Sequence, residues 1–569
     1  MRAGGSDAPD AMTEAKRAAG WLLKVWPWFA AILSGALATL CFAPFDQSWA
    51  CWIALTPLLA AIWFSGEGGK RRGARDLLLG YVAGLVFFWS AFFWLHTVTV
   101  PGLVMVGFYM AVYFALWGWL AGLVRPRAFV SVWKSGRMPD FRPNDQPLEA
   151  PSPWLSSLRN LGLAFILACA WTALEWVRGW MFSGWGWNGL GVALHGILPI
   201  IQIAEFTGVA GLTFAVVFVN VIAVVTVRRF IAEAKVAKRR PHYDFTLTMA
   251  AIVGLCAYGI RVLQERPVTK PLRIAAVQAN VPREEKFSQQ FQGKTFFQFA
   301  RLTRLALATK PPPDLIIWPE SSMPGPVLED ESNHRFVMNV AGSMKSDLLL
   351  GSIDEDEQGA YNAALLIPGG VGKPQVYRKL HLVPFGEYVP GRHAVPFIAQ
   401  VVGNQVPGDF ARGKEAVVFR LTNGMLVAPL ICFEDTLGEL TREFVLRGAG
   451  LLANVTNDGW FLRSAGAEQH VNNAIFRCVE SRRPMARAAN TGVTCFVNQF
   501  GRVAQVLRDA RGSTFTEGVL TGTVEVPTSQ RLTFYTRHGE LFAKLCGCVA
   551  LIFLVVRIPQ LVRRKSGNT

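Results

Sequence analysis

Long apolar runs fill the first half of the chain and return once near its end, at residues 28–45, 49–64, 77–98, 103–124, 161–177, 208–227, 247–262 and 543–558. A helix that crosses a bilayer needs about 20 mostly apolar residues. The pattern therefore predicts about eight transmembrane helices, with the run at 49–64 short and the stretch 197–206 ambiguous. Between 265 and 538 the rhythm changes to short β-rich runs alternating with polar helical stretches. Strands are expected at 272–277, 314–318, 348–352, 363–367, 425–431, 451–455, 485–489 and 493–498, and amphipathic helices at 287–308 and 468–481. Short continuous apolar strands are typical of sheets covered by helices. The expectation is a membrane domain over 1–264, one α/β domain over 265–538, and a last transmembrane helix with its tail over 539–569.

Composition agrees with that division, because 51% of the 569 residues are hydrophobic and 17% are charged. The net charge of +17 changes the picture only through where it sits. Arg2, Lys16, Arg17 and Lys24 precede the first span, and Lys70, Arg71, Arg72 and Arg75 follow the second. Further basic clusters follow the fourth, sixth and last spans, while the loops between are nearly free of Lys and Arg, Arg178 being the main exception. This is a topology signal and not a nucleic-acid footprint. It puts both termini in the cytoplasm and the α/β domain on the outer face. The first span reads as an uncleaved signal anchor, since many spans follow it. Six of the nine cysteines lie in or beside apolar runs, and Cys432, Cys478 and Cys495 belong to the α/β domain, without metal-site spacing.

The polar residues that stand out there end strands, where α/β sheets hold their ligands. Glu320 ends Leu-Ile-Ile-Trp-Pro-Glu, Cys432 ends Val-Ala-Pro-Leu-Ile-Cys, and Lys379 and Glu387 lie in a loop-like stretch that starts at Tyr377. A thiol with a pKa of about 8.5 needs a base or a nearby cation to act as a nucleophile. Glu320 can take its proton. Lys379 can stabilise the thiolate and then an oxyanion, with help from the backbone N–H after Cys432. Glu387 can hold Lys379. His381 and His470 stay open as alternative bases or as hydrogen-bonded structural residues.

Trp318-Pro-Glu-Ser, Tyr377-Arg-Lys-Leu-His-Leu-Val-Pro-Phe-Gly-Glu-Tyr-Val-Pro, Ile431-Cys-Phe-Glu and Asn454-Val-Thr-Asn-Asp-Gly-Trp-Phe resemble the Glu, Lys and Cys blocks of the nitrilase superfamily. Two membrane segments, Glu175-Trp-Val-Arg-Gly-Trp and Gly208-Val-Ala-Gly-Leu-Thr-Phe, narrow the resemblance to its membrane-fused branch, the apolipoprotein N-acyltransferases. The resemblance implies a four-layer αββα sandwich in a bacterial inner membrane, with the catalytic domain in the periplasm. It also implies transfer of an acyl chain from a phospholipid, through a thioester, to the α-amino group of the diacylglyceryl-cysteine of an apolipoprotein, with no cofactor and no metal. Carried over, Glu320 is the base, Lys379 the oxyanion and thiolate stabiliser and Cys432 the nucleophile, with Glu387 and Glu434 in support. Phe433, Phe287, Trp460 and Tyr388 are substrate-binding candidates. Phe433 replaces a common Tyr, Phe287 a frequent Trp, and Trp460-Phe-Leu the frequent Trp-Phe-Gly.

Trp185 and Trp187 are expected either in an interfacial aromatic belt or lining the lipid entrance. Glu175 and Arg178 pair with each other or hold a headgroup. The loops at 325–333 and 390–408 are candidate lids. The alternative activities are a membrane-tethered nitrilase-type amidohydrolase, which would use water as the second nucleophile, and a non-catalytic transporter or receptor, which intact Glu320, Lys379 and Cys432 disfavour.

Overall fold

A computed structural model of the protein describes residues 8–65, 72–125, 152–233, 241–286, 288–369, 372–389 and 409–566. Phe287, the loop at 390–408 and most of the basic inter-span loops lie outside the described residues. The chain divides into two compact units. One comprises Met1–Arg178, Thr213–Gly254 and Ala543–Thr569, and the other Gly179–Leu212 and Leu255–Phe542.

The first unit is helical. Five helices among the described residues are long and apolar enough to cross a membrane: Arg72–Ala91, Val100–Leu123, Pro153–Arg178, Val209–Ile231 and Tyr243–Leu263. The first expected span, 28–45, follows the helix Ala8–Leu40 to its end and runs past it into a turn, and the last lies within Leu541–Ser566. The second is short because it is broken into a 3-10 turn, Ser48–Trp52, and a helix, Thr56–Phe64. A break exposes backbone groups that lipid cannot satisfy. Buried Asn220 meets that need, accepting from Leu55 N (2.8 Å) and donating to Cys51 O (2.8 Å). Helices Arg72–Ala91 and Val100–Leu123 approach closely through small residues. A Cβ on Gly80 would lie 2.4 Å from Phe114 O, and one on Gly84 would lie 2.8 Å from Ala111 Cα.

The second unit is built on two six-stranded sheets, ordered β12-β1-β2-β3-β4-β5 and β11-β10-β9-β8-β7-β6. The strands are β1 (Thr269–Gln278), β2 (Leu315–Ile317), β3 (Asp347–Asp356), β4 (Gly359–Ile367), β5 (Gln375–Arg378) and β6 (Phe419–Arg420). They continue with β7 (Leu426–Ile431), β8 (Leu451–Thr456), β9 (Met485–Ala489), β10 (Cys495–Val497), β11 (Val503–Val506) and β12 (Gly518–Pro527). In each sheet the central strands run parallel and the outer pairs antiparallel.

Side chains alternate between the faces, as strand geometry requires. Ile274, Ile317 and Leu349 of the first sheet share one core with Val427, Leu430 and Leu452 of the second. Ala275, Ile316 and Leu348 point the other way, against Phe299 and Leu302 of the helix Gln292–Leu307 and Val337 of the helix Glu331–Gly342. Helices Gly438–Leu446 and Gly466–Ser481 bury Phe444, Val471 and Ile475 against the second sheet. The result is the αββα sandwich. Residues 179–212 pack into the same unit, through Trp187 Nε1 to Gln469 Oε1 (3.2 Å), Asn188 N to Asn473 Oδ1 (3.0 Å) and an Arg482–Glu205 ion pair (3.0 Å).

Local corrections to the sequence reading have clear causes. The stretch read as a loop from Tyr377 begins as the edge strand β5, paired with β4. Helix 287–308 starts later, at Gln292, after a separate short helix, Arg283–Lys286. The candidate lid at 325–333 is anchored: Val327 is fully buried, its N–H donates to Ser352 Oγ (3.2 Å), and Glu331–Asn333 already belong to a helix capped by Asp330.

Candidate active site

Three strand ends bring the site together. Glu320 follows β2 after Trp318, whose fully buried indole donates to Thr303 Oγ1 (3.1 Å) and whose backbone N–H continues the ladder to Leu349 O (2.8 Å). The Glu320 turn lies on Gly351 of β3, which donates to Pro319 O (3.1 Å) and accepts from Ser322 N (2.9 Å). A Cβ on Gly351 would lie 2.5 Å from Glu320 Cα, so only glycine leaves room there.

Lys379 follows β5, and its N–H donates to Asn362 O (2.8 Å). Its buried ammonium donates to Glu387 Oε2 (2.8 Å). The Asn362 amide joins both carboxylates, donating to Glu320 Oε1 (2.8 Å) and Glu387 Oε1 (2.6 Å). Glu320 Oε2 is buried and has no hydrogen-bond partner among the described residues.

Cys432 follows β7 and opens a tight 3-10 turn, Cys432–Thr436, with its backbone in the left-handed region (φ 52°). That conformation costs a non-glycine residue about 1–3 kcal/mol and persists only where the surroundings enforce it. Here Glu434 enforces it. Its buried carboxylate accepts from Ile431 N (3.0 Å) on the cysteine side, and from Leu380 N (2.8 Å), His381 N (3.0 Å) and the Tyr377 hydroxyl (2.9 Å) on the lysine side. Asn454 adds a bond to Cys432 O (3.0 Å) from β8.

The thiol is half-buried. Burial pushes its pKa well up, the Glu320 charge adds to this, and Lys379 opposes it. The cysteine therefore rests as a thiol. Burial works against the Lys379 charge, but Glu387 first, then Cys432 and Glu320, outweigh it and hold its pKa well above the lysine range. Lys379 is a fixed cation. Burial raises the pKa of Glu434 to about 7, with Lys379 and the backbone donors acting against it.

Residues 262–533 match the carbon-nitrogen hydrolase family, and residues 34–222 match the apolipoprotein N-acyltransferase N-terminal domain. The protein named apolipoprotein N-acyltransferase in Geobacter metallireducens is 32% identical over 556 residues, covering 94% of this chain and 95% of its own. The chain belongs to the apolipoprotein N-acyltransferase family. A protein of the same name as the Geobacter relative, in Rhodopseudomonas palustris, is 28% identical over 97% of this chain and 98% of its own. A solved carbon-nitrogen hydrolase from Helicobacter pylori G27 is 15% identical, covering 48% of this chain and 95% of its own, with a TM-score of 0.35.

Around the N-acyltransferase-family core the aromatic candidates take definite places. Trp187 is buried, and its ring lies parallel to Phe433, next to the cysteine, with centroids 5.9 Å apart. Trp185 meets Trp187 edge-on at 6.4 Å. Trp460 sits on the turn Asp458–Phe461, and Tyr388 ends a turn in which its carbonyl accepts from Phe385 N (2.7 Å).

His470 is fully buried between Asp435 (2.9 Å, Nε2 side) and Asp458 (3.0 Å, Nδ1 side), and Arg487 pairs with Asp458 (3.0 Å) and Asp435 (3.4 Å). His381 tilts against the Phe433 ring at 5.8 Å. Cys478 and Cys495 are free and buried, so no disulfide joins the α/β-domain cysteines.

Sequence reasoning missed Asn362, Lys286 and the Asp435–Arg487 pair. Asn362 sits mid-strand without a motif. Lys286 precedes Phe287 in an unremarkable polar stretch, yet it is buried and donates to Glu320 O (2.7 Å).

Proposed function

We propose that this membrane enzyme moves an acyl chain from a membrane phospholipid to the α-amino group of the N-terminal diacylglyceryl-cysteine of apolipoproteins. Glu320 takes the Cys432 proton as the sulfur attacks the ester carbonyl carbon. Lys379 Nζ and the backbone N–H after Cys432 stabilise the oxyanion. The C–O bond breaks, the lysophospholipid oxygen takes the proton from Glu320, and a thioester remains on Cys432. The acceptor amine then attacks the thioester and gives its proton to Glu320, and the departing thiolate recovers that proton. Glu387 and Glu434 hold the lysine and the cysteine turn. Phe433, Phe287, Trp460, Tyr388, Trp185 and Trp187 are proposed to contact lipid. The positive-inside pattern supports cytoplasmic termini and a periplasmic catalytic domain over 265–538, held by spans in 1–264 and 539–569, in a bacterial inner membrane.

The observation that carries the reading is one hydrogen-bonded network, in a member of this family: Asn362 joins Glu320 to Glu387, Glu387 holds Lys379, and Glu434 ties the loop after Lys379 to the Cys432 turn. The test is acyl capture. Purified protein is given phospholipid with a labelled acyl chain, then a diacylglyceryl lipopeptide with a free N-terminal amine. Hydroxylamine-sensitive label on the wild type, absent from Cys432→Ala and passed to the peptide amine, is expected. No label from any phospholipid would sink the proposal in favour of a tethered amidohydrolase.

A further inference from the structure

Lys286 ends the short helix Arg283–Lys286 and is buried. Lysines usually keep their ammonium in water while the stem packs, and a buried ammonium costs several kcal/mol unless it is paired. Packing alone gives no reason for one here, since a methionine would fill the same volume without charge. The ammonium donates to the Glu320 main-chain carbonyl at 2.7 Å, fixing the peptide that carries the carboxylate. That carboxylate has one buried oxygen, Oε2, without a hydrogen-bond partner among the described residues. Lys379 supplies charge to the same site, but its ammonium donates to Glu387. The charges that bear on Lys286 are Glu320 and Cys432; burial lowers its pKa to about 8 and those two groups oppose the fall.

We propose that Lys286 is a positioning residue of the acyl-transfer site, fixing the main chain of Glu320 so that its carboxylate stays in place to accept the Cys432 proton. This rests on the reading of Glu320 as base and Cys432 as nucleophile. In the step itself one proton moves from Cys432 Sγ to Glu320, and Lys286 takes no part beyond its bond to the Glu320 carbonyl. Without that donor the peptide that carries the base is released, and the proton transfer slows.

The test uses the full chain in detergent, as wild type, Lys286→Met, Lys286→Gln and Lys286→Arg. Two rates are followed against pH: alkylation of Cys432 by iodoacetamide, which needs no acyl donor, and capture of a labelled acyl chain from phospholipid. Met is expected to slow both rates about tenfold at every pH, with Gln and Arg, which can still donate to the Glu320 carbonyl, restoring most of both. Gln and Arg also guard against a methionine variant that simply fails to fold. A methionine variant as fast as wild type, or glutamine and arginine variants no better than methionine, would overturn the proposal and assign Lys286 to packing. Alkylation that responds as expected, in a wild type that captures no acyl chain, would support Lys286 while refuting acyl transfer.

Discussion

Two clusters of buried charge occupy the same sandwich and are finished differently. In Asp435, Asp458, His470 and Arg487 every carboxylate faces two cationic side chains, and all four residues are buried. In Glu320, Lys379, Glu387 and Cys432 one carboxylate oxygen has no donor among the described residues and the cysteine is half-buried. Both clusters carry the cost of burying charge. Each also has a carboxylate oxygen outside a hydrogen bond among the described residues, Asp435 Oδ1 in the first, which the His470 ion pair meets, and Glu320 Oε2 in the second. Only the second adds a thiol nucleophile, and that separates a reactive site from a brace. The two are joined, because Asp435 lies in the turn Cys432–Thr436 that carries the nucleophile. His470, which the sequence offers as a candidate base, is part of the brace.

The largest effects should come from the reactive cluster. Cys432→Ala and Glu320→Gln are expected to lower acyl capture by about 10³-fold or more, and Lys379→Met by about 10²–10³-fold, with each variant still folded by size-exclusion chromatography. Retention of capture by Glu320→Gln would remove the distinction between the clusters.

The brace should answer in stability. Arg487→Met strands two buried carboxylates and is expected to cost about 3–5 kcal/mol in equilibrium unfolding. A change below about 1 kcal/mol would mean that the brace is not load-carrying.

The pH dependence should be smaller, with opposite signs for two members of the brace. Burial works against the Asp458 charge, but Arg487 and His470 outweigh it and lower its pKa to about 2. Its contribution is therefore complete above about pH 4 and lost as pH falls towards 2, about 2 kcal/mol in all. Burial pulls the His470 pKa down, and Asp435 more than reverses this. Its contribution is complete below the ordinary histidine value of 6.5 and is lost as pH rises through the raised value. Urea midpoints of wild type, Asp458→Asn and His470→Gln across pH would show both arms; matching curves for all three would contradict the assignment.

The smallest effect belongs to the aromatic wall. Phe433→Tyr keeps the ring against Trp187 and is expected to change acyl capture by less than about threefold. A larger loss would bring the wall into the chemistry.

Period and composition made the core elements legible. The strands at 451–455 and 485–489 match β8 and β9 nearly residue for residue, because fully buried strands read as continuous apolar runs. The strands β5 and β12 were not legible. Gln375–Arg378 is a four-residue edge strand, and Gly518–Pro527 has a mostly exposed face, so neither forms an apolar run. Glu320, Lys379 and Cys432 stood out because each ends a strand or opens a motif. Lys286 and Asn362 did not, since their importance comes from tertiary neighbours: Lys286 reaches Glu320 across 34 residues of chain and Asn362 reaches it across 42. Trp187 reads as an interfacial aromatic by sequence, and its partners Gln469 and Phe433 lie more than two hundred residues away.

The missing Cβ at Gly351 has a consequence for how the enzyme fails. The peptide of Glu320 is wedged against β3 with no slack between them, so the base cannot drift from its post while the sheet remains whole. Gradual denaturation should therefore show no plateau of folded but inactive enzyme on this side of the site: catalytic competence and the β3 amide protection pattern should disappear in one transition.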